Sequence, residues 1–149
     1  MSFYGLVDGS DASLKSYLNN LSGVDQVGAE ARAAMLATRS IKTTSKRWAI
    51  ETAITMVDLT TLEGADTPGK VKALCTKAVR PDPTDSTVPS VGAVCVYNDM
   101  VSVARTHLDL IGGQHVPVAA VSTAFPSGRA SMPVKIQDTQ DAIDAGAAE

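Results

Sequence analysis

The first third of the chain carries apolar residues at a helical period. In the stretch DASLKSYLNNL, residues 11–21, four apolar side chains recur at the i, i+3, i+4, i+7 spacing of an amphipathic helix. A second helix is predicted over residues 25–40 and a third from about residue 45. The pattern therefore predicts a helical N-terminal segment over residues 1–47. The apolar stripe of the first helix consists of Leu14, Tyr17, Leu18 and Leu21.

From residue 54 onwards the pattern changes to short, nearly continuous apolar runs rich in β-branched residues. They are ITMVDLT (54–60), VGAVCVY (91–97) and VPVAAVST (116–123). Runs that do not alternate with polar positions are typical of parallel strands buried on both faces. Each run precedes a helical pattern, so residues 48–149 are predicted to form three βα units of a parallel sheet.

The helices that follow these strands have recognisable start and stop signals. Thr67 is predicted to cap the first and Pro68 to open it, Asn98 to cap the second, and Pro133 to open the third. Gly146 lies where a C-terminal glycine is expected after the third helix.

Two α/β architectures fit three consecutive βα units, a doubly wound sheet and a (β/α)8 barrel. A barrel needs about 250 residues, so a chain of 149 residues favours the doubly wound sheet by length alone. The stretch after the first strand, DLTTLEGADTPGK, contains no glycine-rich phosphate loop. That weakens the doubly wound alternative.

Composition excludes several classes of function. The net charge is −3 and no basic face is clustered, which argues against nucleic-acid binding. No run of about 18 apolar residues occurs and no signal peptide is recognisable, so we expect no membrane association and a cytoplasmic location. Cys75 and Cys95 are not in a CxxC pair, and His107 and His115 lack ligand-spaced partners. We predict no metal site and no cofactor.

Both architectures place active groups at the carboxyl ends of the strands. Asp58 stands within the apolar run ITMVDLTTL, where a carboxylate must be hydrogen-bonded, paired with a cation or used in proton transfer. A purely structural alternative is that Asp58 caps backbone amides. Cys95 is either a small buried thiol or a thiol that faces a substrate pocket. Thr123 places a hydroxyl at the end of the third strand.

Four motifs in this order resemble the first part of the deoxyribose-phosphate aldolase family: MVDLTTL (56–62), AVCVY (93–97), VSTAFPSG (121–128) and DAGAAE (144–149). The resemblance covers residues 48–149. It implies the N-terminal part of a TIM barrel, about three βα units, preceded by the small helical segment. It also implies a metal-free Schiff-base aldolase that acts on a small phosphorylated sugar, cleaving 2-deoxyribose 5-phosphate reversibly to acetaldehyde and glyceraldehyde 3-phosphate.

By this resemblance Asp58 matches an aspartate that supports the catalytic lysine and its water network. Thr60 and Cys95 match residues that line the same pocket, and Thr123 is a further candidate for binding substrate. The family's aspartate on the fourth strand, its Schiff-base lysine on the sixth and its second lysine on the seventh lie beyond the motifs found here. A Schiff-base lysine must lose its proton near neutral pH, which requires burial or a neighbouring cation. Such a lysine must therefore project from a strand end into the barrel mouth.

None of the seven lysines lies on a predicted strand, so we expect the 149-residue chain alone to be inactive. Two hypotheses follow. The chain is part of an aldolase whose remaining strands are supplied elsewhere, or it is a non-catalytic half-barrel that associates with itself or with a partner. Both predict an oligomer or association with the missing barrel half, because a third strand without a fourth has an unpaired edge.

Overall fold

A computed structural model describes residues 10–149, which belong to two compact units divided between Ile41 and Lys42. The described part of the first unit contains two helices, α1 (Asp11–Asn19) and α2 (Gln26–Ala37). Each has a side-chain cap: the Ser10 hydroxyl accepts a hydrogen bond from the Ser13 amide, and the Asp25 carboxylate accepts one from the Gly28 amide. This part of the unit is helical, as its periodicity predicts.

The second unit, residues 42–149, alternates strands and helices. It begins with α3 (Thr43–Thr55), and each of its three strands is followed by a helix. A short 3-10 turn, Asn98–Met100, lies between the second strand and its helix. The remaining elements are β1 (Asp58–Thr60), α4 (Pro68–Val79), β2 (Ala93–Tyr97), α5 (Val101–Leu110), β3 (Val118–Val121) and α6 (Met132–Asp144).

The three strands form one parallel sheet in the order β1-β2-β3. Thr60 is in register with Cys95, and Cys95 with Ala119. Because the strands are parallel and adjacent, their carboxyl ends lie at one edge of the sheet. The prediction of an α/β fold built on a parallel sheet is confirmed.

Helices α4 and α5 cover one face of this sheet. Val94, Val96 and Val118 point from that face into a buried cluster with side chains of both helices. The Thr67 hydroxyl caps α4 by accepting from the Lys70 amide, as predicted, and Pro68 occupies the first turn. The helix residues in the cluster are Val71, Cys75, Ala78, Val101, Ala104 and Leu108.

The first predicted strand is longer than the observed one. Residues 54 and 55 belong to the end of α3, and the strand begins at Asp58. The chain leaves α3 close to Gly92, where an added Cβ would lie 2.7 Å from the Thr55 carbonyl oxygen. Gly92 therefore permits the close approach of the α3–β1 connection to the start of β2.

The predicted role of Asn98 as a helix cap is wrong. Tyr97 is the N-cap of the 3-10 turn and Met100 that of α5. Among the described residues, the Asn98 Oδ1 atom accepts no hydrogen bond. The amide group instead donates to Asp138 on α6. The bonds that fix the Asn98 side chain are therefore donated by its nitrogen to a residue 40 positions away, and its oxygen caps no backbone amide.

The outer edge of β3 is partly paired. The Ala148 amide donates to the Val118 carbonyl at 2.8 Å, and the Ala120 amide donates to the Glu149 carbonyl at 2.8 Å. These bonds run in the direction of a parallel ladder. The expectation of an unpaired outer edge on the third strand is therefore corrected: Ala148 and Glu149 already satisfy backbone groups of β3.

Over residues 10–149, no helix has the length and apolar content needed to cross a membrane.

Candidate active site

The face of the sheet opposite α4 and α5 carries the candidate residues of β1 and β2. Side chains alternate between faces along a strand, so residues two apart share a face. Asp58 and Thr60 lie on this face of β1, and Cys95 and Tyr97 on the same face of β2. We call this surface the open face. Asp58 and Thr60 are exposed on it, and Cys95 is half-buried.

Asp58, Thr60 and Cys95 are close enough to influence one another. The Thr60 hydroxyl donates to the Asp58 backbone carbonyl at 2.8 Å. Burial raises the pKa of the Cys95 thiol, a hydrogen bond with Thr60 partly offsets this rise, and the negative charge of Asp58 adds to it. The thiol is therefore neutral at physiological pH and is not an activated nucleophile.

A hydrogen-bonded network holds the loop that follows β1. Thr61 is the buried residue at its base: its amide donates to the Cys95 carbonyl at 3.1 Å and its hydroxyl to Asp66 at 2.9 Å. Lys70 lies 2.7 Å from the Asp66 carboxylate and also 2.7 Å from Glu63. The hydrogen bond from Lys70 is the largest effect lowering the pKa of Asp66. This network fixes Thr61, and with it the position of Thr60 beside Cys95.

Thr123 lies apart from these three residues. It follows β3 with a φ of 62°, in the left-handed region that β-branched residues seldom adopt. Its exposed side chain lines a groove along α6 rather than the open face. The structure thus brings together Asp58, Thr60 and Cys95 but not Thr123, and substrate binding by Thr123 stays a prediction. The other residues of this α6 groove are Met132, Lys135, Ile136, Thr139, Gln140 and Ile143.

A cavity of about 320 Å³ opens where β2 and β3 end. Tyr97 and Val121, in register with each other, form its floor at the end of the open face. We call this space the rim cavity. Its charged lining residues are Asp99 and Asp138, so its wall is acidic. The full lining is Tyr97, Asn98, Asp99, Val121, Ala124, Phe125 and Asp138.

Sequence reasoning missed Asp138 altogether and misjudged Asn98. Asp138 lies on the helix predicted to follow the third strand. Its neighbours there are Gln137, Gln140 and Asp141, a pattern typical of a solvated helix face. No local signal distinguishes it, because its partners are 14 and 40 residues away in the chain. Only the tertiary arrangement reveals its role.

Across residues 10–149, His, Cys, Asp and Glu side chains form no group of three that could hold an ion. Both cysteines are free, Cys75 in the buried cluster and Cys95 on the open face.

Comparison with known proteins gives a consistent relationship. The chain is 36% identical over 124 residues to deoxyribose-phosphate aldolase of Mus musculus, and 33% identical over 119 residues to that of Homo sapiens. These alignments cover 76% and 72% of this chain. The chain belongs to the deoxyribose-phosphate aldolase family. No family model matches the sequence.

A solved structure supports the same relationship. A protein assigned as a deoxyribose-phosphate aldolase from Coccidioides immitis superposes with a TM-score of 0.56 and 27% identity, over 67% of this chain. The similarity concerns only part of each relative. The chain spans 38% of the mouse protein, 37% of the human protein and 35% of the Coccidioides chain.

Lysine placement bears directly on Schiff-base chemistry. Six of the seven lysines lie on helices, and Lys42 immediately precedes α3. Within residues 10–149, none projects from a strand onto the open face. The six helical lysines are Lys15 on α1, Lys46 on α3, Lys70, Lys72 and Lys77 on α4, and Lys135 on α6.

The raised pKa of Cys95 predicts slow alkylation. We expect iodoacetamide to modify Cys95 with a pH midpoint above that of a free thiol. The Asp58→Asn substitution removes a negative charge that opposes the thiolate, so it should lower the pKa and speed alkylation at neutral pH. Peptide-level mass spectrometry measures the rate for Cys95 separately from Cys75. A slower reaction in Asp58→Asn would contradict the assigned electrostatic influence of Asp58.

Proposed function

We propose that this chain forms part of a class I aldolase, a carbon–carbon lyase that reversibly cleaves 2-deoxy-D-ribose 5-phosphate to acetaldehyde and D-glyceraldehyde 3-phosphate. The observation that carries the proposal is the juxtaposition of Asp58, Thr60 and Cys95 on the open face, within a chain of this family. The proposal includes a cytoplasmic location, in keeping with two free thiols.

In the proposed reaction a lysine amine condenses with the C1 aldehyde and releases water. The C3 hydroxyl then loses its proton and the C2–C3 bond breaks. C3 becomes the aldehyde carbon of the departing D-glyceraldehyde 3-phosphate, and the electron pair of the broken bond moves into the iminium to give an enamine. Protonation and hydrolysis of the enamine release acetaldehyde and regenerate the amine. The lysine must come from outside residues 10–149, because every lysine within them lies on or beside a helix.

Asp58 is the group in this chain that suits proton handling. It is a carboxylate on the open face, exposed enough to reach a water or a substrate hydroxyl. General acid–base assistance of this kind is worth about 10²- to 10⁴-fold in rate. Thr60 and the neutral thiol of Cys95 form the adjoining wall, where the hydroxyl can orient substrate and the thiol supplies a small, weakly polar contact.

We expect Asp58→Asn to abolish most turnover while the fold is retained. In the polypeptide that the gene encodes, kcat for cleavage of deoxyribose 5-phosphate should fall by about 10²-fold or more. The side chain is exposed and isosteric with asparagine, so the melting temperature should change little. Asp144→Asn is the matched control, since the Asp144 carboxylate accepts a hydrogen bond from Gln140 within α6. Unchanged turnover in Asp58→Asn would contradict a role in proton transfer and leave the purely structural alternative for Asp58.

The 149-residue chain on its own should form no Schiff base. Borohydride reduction in the presence of acetaldehyde should leave its intact mass unchanged, because each of its lysines lies on or beside a helix and none projects from a strand onto the open face. Electrospray mass spectrometry of the isolated chain provides the measurement. A stoichiometric adduct mapped to any of the seven lysines would show that the argument from lysine placement is wrong.

The exposed α6 groove favours a second proposal, a non-catalytic module that associates with a further copy of itself or with the remaining barrel half. Met132, Ile136 and Ile143 are each more than half exposed along this groove. Clustered apolar side chains on a surface mark contacts with other polypeptides. This proposal is compatible with the first, since association could complete a catalytic barrel.

If the groove mediates association, Ile136→Gln should shift the 149-residue chain towards monomer. Losing an exposed apolar contact at an interface weakens association by about 1–2 kcal/mol. Sedimentation velocity over a range of concentrations measures the change. Val134→Gln is the control, because Val134 is similarly exposed on α6 but does not line the groove. Equal behaviour of both variants would rule out the groove as the contact.

A further inference from the structure

Asp138 connects three parts of the chain at the rim cavity. The Asn98 amide group donates to both the Asp138 backbone carbonyl, at 2.7 Å, and its carboxylate. The second carboxylate oxygen accepts from the Ala124 amide at 3.3 Å. One side chain of α6 therefore holds the turn after β2 and the loop after β3.

The other aspartates of α6 behave differently. Asp141 accepts from Gln137 at 2.7 Å and Asp144 accepts from Gln140 at 2.8 Å, each one helical turn away on the same surface. Such pairs support the helix locally. Asp138 alone among these three directs its carboxylate to other segments, so its role is not that of an ordinary helix-surface acid.

The Asn98 side chain is fixed in one orientation by this arrangement. Both groups that it meets on Asp138 are acceptors, so the amide nitrogen must face α6. Among the described residues, the buried Asn98 Oδ1 atom has no hydrogen-bond partner. An unpaired buried acceptor is unfavourable, so the bonds on the nitrogen side must offset this cost.

The loop after β3 is also held in an unfavourable conformation. Thr123 and Ala124 both have a φ of 62°, a region that residues with a side chain seldom occupy. Such conformations persist where surrounding contacts over-determine them, commonly beside functional sites. Here the contacts come from consecutive α6 residues: Asp138 binds the Ala124 amide, and the Thr139 hydroxyl lies 3.3 Å from that of Ser122.

We infer that Asp138 is a positioning residue that fixes the shape of the rim cavity for substrate. By binding Asn98 and Ala124 together, it sets the distance between the turn after β2 and the loop after β3. Tyr97 and Val121 at the floor belong to the strands. Loss of the hydrogen bonds from Asp138 to Asn98 and Ala124 would therefore loosen the loop wall of the cavity and leave its floor in place. This inference rests on the proposed function for its kinetic consequence.

The test compares Asp138→Asn with Asp141→Asn in the polypeptide that the gene encodes. Asparagine keeps the size of the side chain but turns one acceptor into a donor, which must face the donor of Asn98 or of Ala124. We expect exchange of amide hydrogens over residues 122–130, followed by mass spectrometry, to become about fivefold faster. KM for deoxyribose 5-phosphate should rise about tenfold while kcat changes less than about threefold. Asp141→Asn should match the parent in all three.

A second variant guards against misfolding of the first. Asn98→Ala removes the hydrogen bonds between Asn98 and Asp138 and leaves the sequence of α6 unaltered. In the double variant, its effect on KM should not add to that of Asp138→Asn. Unchanged exchange in Asp138→Asn, or a fall in kcat at constant KM, would overturn the inference. If the parent does not cleave the sugar phosphate, the proposed function fails, and the exchange rates alone decide whether Asp138 holds the loop.

Discussion

The parallel register of β1, β2 and β3 is the constraint on which the other features of residues 42–149 depend. It directs Val94, Val96 and Val118 towards α4 and α5, and the same alternation leaves Asp58, Thr60 and Cys95 on the opposite face. A slip of one residue in β1 would bury Asp58 among valines and expose Leu59. Because the strands are parallel, the network around Asp66 and the tie made by Asp138 also gather at one edge.

Sequence pattern was sufficient for the features that depend on local chemistry. Uninterrupted apolar runs located the three strands, and the Thr67–Pro68 pair located the start of α4. Prediction from the pattern failed where a segment could adopt either of two conformations. The run around Ile54 suits a strand or a buried helix end, and periodicity over so few residues cannot separate them. In the structure this run ends α3, and the helix end lies close to Gly92, a tertiary contact that local pattern does not encode.

The candidate site divides along the same line. Asp58, Thr60 and Cys95 were identifiable because each lies within or directly after an apolar run, and the register alone brings them together. Thr123 and Asn98 lie beyond their strands, where loop conformation decides the direction of a side chain. A left-handed φ turned Thr123 towards α6, and a partner 40 residues away took Asn98 from its predicted capping role. Neither the left-handed φ of Thr123 nor the distant partner of Asn98 can be predicted from the residues next to them in the sequence.

The electrostatics of the open face assign different roles to Asp58 and Cys95. Asp58 raises the cost of forming a thiolate at Cys95, and burial acts in the same direction. The thiol therefore stays neutral while the more exposed carboxylate carries the charge. Under the proposed function, a neutral Cys95 is a poor nucleophile and leaves the aldehyde to a lysine. The residue most easily taken for a nucleophile is therefore better explained as a weakly polar part of the open face beside Thr60.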